Sequence, residues 1–166
     1  MNEVFRELAE RNGWSYSISE NRPYFMKNGN YAIPDETTSE EDKELLANII
    51  SEGSQEMAQL ILLCWNSGIV ISGPCSGIRE FHENLPFALH FSFKAQKDII
   101  EPLYNSLQTE LSALNHMYRE ENDLIRYDIT YPLNGNRLST QQSNEIFSII
   151  KNQLQTVLDN LIIKKH

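Results

Sequence analysis

Two runs of this 166-residue chain, LPFALHFSF at residues 85 to 93 and LIRYDITY at residues 124 to 131, alternate apolar and polar side chains with a period of two. Only an extended strand has that period, because successive Cβ atoms leave a strand on opposite faces. Phe87, Leu89, Phe91 and Phe93 therefore point one way and Ala88, His90 and Ser92 the other; Ile125, Tyr127, Ile129 and Tyr131 oppose Arg126, Asp128 and Thr130. The apolar set needs a covering layer. The polar set is too polar for a second core, so an open polar sheet face is expected.

The rest of the chain supplies the covering layer. Residues 2 to 11 carry Val4, Phe5 and Leu8 at helical spacing and stop at Asn12-Gly13, as a left-handed cap would stop them. WSYSI, RPYFMK and NYAIP follow as a small β meander, with Asn28-Gly29 as a hairpin turn. A long helix is predicted from Ser39 or Glu40, its apolar stripe running from Leu45 to Leu63 with an interruption at Glu52-Gly53-Ser54. Asn66-Ser67-Gly68 ends it, and GIVIS is a short buried strand. A further amphipathic helix is predicted over residues 96 to 118, and a last one after a Ser139 or Thr140 cap. The expected fold is α+β: a two-layer sandwich with a mixed, mostly antiparallel sheet and helices on one face. It is one domain over residues 1 to 166, made of a helix and meander (1–34) and an α-β-β-α-β-α body (39–164).

Charge and composition remove several functional classes. A formal net charge of −9 repels phosphate backbones on average, so nucleic acid is not expected as a partner. There is no apolar run of 18 residues, and the charged amphipathic N-terminus differs from a signal peptide; no membrane partner and a cytoplasmic location are expected. Cys64 and Cys75 are the only cysteines and no Asn-X-Ser/Thr sequon occurs, which points away from a stapled secreted scaffold. Cys64, in LILLCW, is expected to pack as a small hydrophobe.

Chemistry concentrates between the two body strands, in SGPCSGIREFHEN at residues 72 to 84. Gly73, Pro74 and Gly77 allow unusual backbone there, and free amides could form an anion-binding nest. Cys75, His90 and Asp128 offer a nucleophile, a base and an orienting carboxylate. Arg79, His82 and Arg126 with the Ser76 hydroxyl offer cationic and hydrogen-bonding groups for an anion. Cys75, His82 and His90 are acceptable zinc ligand types, but their spacing matches no zinc pattern and a fourth ligand is missing. No metal and no cofactor is expected: the chain has no G-x-G-x-x-G, G-x-x-x-x-G-K-[ST], H-E-x-x-H or G-x-S-x-G.

The six residues Ser72 to Gly77 resemble the S-x-x-C-S-G motif of the tRNA wybutosine-synthesis methyltransferase family. Ile78 stands where that family has arginine, and neither its cofactor nor its activity is carried over. The first expectation is a small-ligand-binding or regulatory module that holds a small polar or anionic ligand on the open sheet face and the 72–84 loop. A thiol-dependent enzyme with Cys75 as nucleophile and a histidine base is the second. Long amphipathic helices and an uncovered sheet face also suit a homodimer.

Overall fold

The computed structural model describes residues 2–19, 22–78, 87–132 and 138–165. Helix α1 (Asn2–Asn12) ends at Gly13, whose φ of +68° turns the chain into the meander β1 (Ser15–Ser19), β2 (Arg22–Lys27) and β3 (Asn30–Tyr31). Asn28 and Gly29, with φ of +53° and +79°, form the two-residue turn between β2 and β3, the type whose twist matches that of the strands. Phe5, Leu8, Trp14, Phe25, Ala32 and Leu46 close this end as a small aromatic core. Phe5 meets Phe25 edge to face at 6.1 Å.

The single long helix predicted after Ser39 is two helices, α2 (Glu40–Ile50) and α3 (Gln55–Asn66). Glu52 and Gly53 both take positive φ, +55° and +95°, which no α-helix can contain. Each new helix is capped by a serine. Ser39 Oγ accepts from the Asp42 N–H, and the fully buried Ser54 Oγ accepts from the Met57 N–H.

The second sheet comprises β4 (Val70–Cys75), β5 (Phe87–Ala95), β6 (Asn115–Glu121) and β7 (Leu124–Pro132), in the order β4-β5-β7-β6, every adjacent pair antiparallel. Helix α4 (Lys97–Glu110) joins β5 to β6, and α5 (Thr140–Lys165) closes the chain. The architecture is α+β, as expected, but the sheet expected to be mixed is antiparallel throughout its described pairs. Leu89, Phe91, Phe93, Ile125, Tyr127 and Ile129 are buried against Met57, Leu60 and Ile61 of α3, Ile100, Leu103 and Leu107 of α4, and Phe147, Ile150 and Leu154 of α5. Full burial of each such side chain stabilises by about 1.5–3 kcal/mol, so this layer is the main source of cohesion. Cys64 is fully buried in it.

Strand β6 corrects the prediction of a helix over residues 96 to 118. The leucine stripe continues through Leu111 and Leu114, both buried, but the helix ends at Glu110 and those two leucines pack from a turn. Asn122 and Asp123, with φ of +53° and +68°, then form a two-residue hairpin from β6 into β7. The long connection from β5 leads to β6, which runs parallel to it, with β7 inserted between them. His116 anchors β6 on the helix side. Tyr127 Oη lies 2.6 Å from its Nδ1, and its Nε2 lies 2.8 Å from the Leu111 carbonyl oxygen. The carbonyl can only accept, so Nε2 donates and Nδ1 accepts from the tyrosine, whose proton is held by burial that raises its pKa.

The end of α1 is tied to the first turn of α2 by Asp42. Arg11 Nη2 donates to its Oδ1 at 2.8 Å and Asn12 Nδ2 to its Oδ2 at 2.9 Å. The arginine hydrogen bond holds the Asp42 pKa below the usual carboxylate value, with burial opposing and Asn12 assisting. A depressed carboxylate pKa gives stability that is complete above the unfolded value, about 3.9, and is lost as pH falls through the folded value. Asp42→Asn should therefore lower the melting temperature at pH 7 by roughly 2–4 °C, and the gap to the parent should close below about pH 4. Melting curves at pH 7 and pH 3 check both.

Candidate functional site

The face of the larger sheet turned away from α3, α4 and α5 is built by the polar half of the alternation, and at its middle Ser92 and Asp128 are buried. From β4 to β6 one register row runs Ser72, Ser92, Asp128 and Met117, and the next runs Val70, Lys94, Arg126 and Arg119. His90 and Thr130 oppose one another in a third row. The side chains of Phe87 and Ala88 lie outside the described residues.

His90, Asp128 and Arg126 form one connected group. His90 Nε2 lies 3.3 Å from Asp128 Oδ1, and Arg126 Nε donates to Asp128 Oδ1 and Oδ2 at 3.3 and 3.2 Å. His90 Nδ1 lies 2.8 Å from the Gly73 carbonyl oxygen, so Nδ1 carries the proton and donates. With Nδ1 so used, a neutral ring faces the carboxylate with its Nε2 lone pair; a doubly protonated ring satisfies both contacts. Glycine at 73 favours the approach through its backbone. A Cβ there would stand 3.4 Å from Nδ1, and the φ of +55° is one that side chains other than glycine rarely adopt.

The outer row holds groups that the sequence reading passed over. Lys94 opposes Arg126, and Arg126 opposes Arg119, so three cations stand side by side across β5, β7 and β6. Among the described residues two carboxylates answer them. Asp128 takes the Arg126 Nε, while Glu121 lies 3.9 Å from Lys94 and 3.7 Å from Arg119, too far for a hydrogen bond to either. Lys94 could have been found by extending PFALHFSF one polar step. Arg119 could not, because its stretch was read as helix.

Cys75 sits where β4 bulges: Ser72 pairs with Ser92 and Cys75 with His90, one residue extra on β4. The thiol is buried, 6% exposed. Burial pushes its pKa up to about 11, against the lowering by the Gly77 N–H and Arg22, while the Glu52 carboxylate adds to the rise. Arg22 bridges this corner, paired to the Glu52 carboxylate at 3.0 Å and donating to the Pro74 carbonyl. Ser76 is fully buried, its Oγ accepting from the Ile78 N–H and its carbonyl from Ser143 Oγ. The Gly77 and Ile78 amides are thus engaged within the loop. Arg79 and His82 lie outside the described residues.

Among the described residues no three His, Cys, Asp or Glu groups are placed to share a metal ion, and no helix is long and apolar enough to cross a membrane. Comparison with protein-family models, curated proteins and solved structures found no match, so the six-residue likeness around Cys75 stands without family support.

A thiol of pKa near 11 is ionised to roughly one part in a thousand at pH 8. In the native protein, Cys75 alkylation by iodoacetamide should be slow at pH 8 and rise about tenfold per pH unit up to pH 10. Peptide mass spectrometry reads it, with Cys64 unlabelled until unfolding. A rate already level by pH 8 would mean an activated thiol.

Proposed function

We propose that this protein is a binding module for a small anion carrying at least two charged groups, held by Lys94, Arg126 and Arg119 on the sheet face turned away from α3, α4 and α5. The observation that carries this reading is the cross-strand row itself. Like charges directly opposed on a sheet repel, and here two such pairs are adjacent in a chain of net charge −9. A bound anion turns that repulsion into attraction. Strand spacing puts the outer members of the row about 10 Å apart, a span suited to a di- or tricarboxylate or a short polyphosphate.

Asp128 fixes the central guanidinium through Nε, so that, among the described residues, the Nη groups are the ones offered to the ligand; guanidinium is well matched to carboxylate and phosphate oxygens. The net acidity of the molecule favours a small anion over a nucleic-acid backbone. The raised pKa of the Cys75 thiol supports this reading over a thiol-dependent enzyme, which needs a thiolate near neutral pH.

Calorimetric titration with tripolyphosphate and with citrate tests it. At least one should bind saturably at low ionic strength, with affinity falling as salt rises. Arg126→Ala should weaken binding by about tenfold or more, the scale of a charge-assisted contact. Lys94→Ala and Arg119→Ala should each weaken it less. Binding by neither anion, or equal binding by the parent and all three variants, would refute the site.

A further inference from the structure

A second site, distinct in chemistry from the cationic row, lies where the meander meets strand β4 and helices α2 and α3. A pocket of about 170 Å³, open to solvent on one side, is lined there by Tyr24, Tyr31, Ile49, Trp65 and Ile71, with Arg22 at one end. Protein interiors hold few voids larger than a water molecule. Apolar cavities of about 150 Å³ stay dry and admit a benzene-sized guest. The cavity joins the two cores, since Ile50 and Trp65 pack against both.

We infer that this cavity is a binding site for a small neutral aromatic molecule. Its walls are mostly aliphatic and aromatic, with Ser72 and the Gly73-Pro74 segment on the β4 side, and its one charge is already engaged. Arg22 is paired to the Glu52 carboxylate at 3.0 Å, donates to the Pro74 carbonyl, and lies over the Tyr24 ring at 5.7 Å. An anionic guest would have to compete with Glu52 for that guanidinium. A neutral ring keeps the pairing and gains the Tyr24, Tyr31 and Trp65 faces, which favour offset or edge-to-face contact. At the mouth, Tyr31 is 58% and Ile33 49% exposed, so entry does not require the core to open. A guest bridging both cores fastens the meander to the larger sheet, so binding and stability are linked.

The test uses toluene as probe, with benzoate as its charged counterpart, and the Trp14→Phe variant so that Trp65 is the only tryptophan reporter. Toluene should produce a saturable change in Trp65 emission and raise the melting temperature, and benzoate should bind at least tenfold more weakly. Ala32→Leu fills the cavity from the residue that follows β3 and should abolish the response. Ile33→Phe at the rim provides the same test should Ala32→Leu fail to fold. No saturable response in the parent, or an undiminished response in the folded filled variants, overturns the site. Tighter binding of benzoate than toluene overturns the assignment to a neutral guest. The outcome is independent of the anion titrations, which probe Lys94, Arg126 and Arg119.

Discussion

The antiparallel ladder between β5 and β7 decides which residues become core and which become surface. Phe91 faces Ile129 and Phe93 faces Tyr127, while Ser92 faces Asp128 and Lys94 faces Arg126. Because the side-chain period is two, sliding one strand by a single residue would drive Asp128 and Arg126 under the helices and expose Tyr127 and Ile129. Burying those charges without partners would cost several kcal/mol. The register is therefore held by the same apolar contacts that hold α3, α4 and α5 to the sheet. The cationic row is a by-product of that register.

The N-terminal meander is attached differently. Its own aromatic core is small, and it meets the rest of the molecule through Leu46, Ile50 and Trp65, the Arg11–Asp42 pair and the Arg22 bridge to Glu52 and Pro74. Such a junction leaves room for a cavity. The Arg22–Glu52 pair is largely desolvated, with the glutamate side chain 3% exposed. Pairs of this kind specify geometry more than they stabilise it, and here the pair fixes where the meander sits relative to the Cys75 corner.

Much of this was legible in the sequence, for identifiable reasons. The alternation around His90 and Asp128 marked two strands and their faces, and Asn28-Gly29 marked a hairpin. The serines at 39 and 139 stood where helix starts were expected, whereas Ser54, read only as part of an interruption, caps a separate helix; Ser139 Oγ accepts from the Gln142 N–H while Gln142 Oε1 accepts from the Ser139 N–H, a reciprocal capping pair. Strand β6 was hidden because its apolar residues do not alternate cleanly. Met117 is exposed, and the inward place is taken by His116, whose polarity is satisfied only by Tyr127 and Leu111. A polar residue buried by a tertiary hydrogen bond leaves no trace in hydrophobic periodicity. The Asn122-Asp123 turn was the available signal. Missing β6 also hid Arg119, and with it the cationic row. The chemistry around Cys75 drew attention in sequence because cysteine, histidine and arginine cluster there; burial of the thiol is a tertiary property that no local pattern carries.

The most direct test of this account is the β5–β7 register in solution, read by cross-strand nuclear Overhauser effects on uniformly labelled protein. The account predicts contacts between the backbones of Ser92 and Asp128 and of Phe93 and Tyr127, with the Phe91 ring close to Phe147, whose centroid is 5.7 Å away. Contacts displaced by one residue, pairing Ser92 with Tyr127 or Ile129, would place Arg126 and Asp128 on the other face and contradict it.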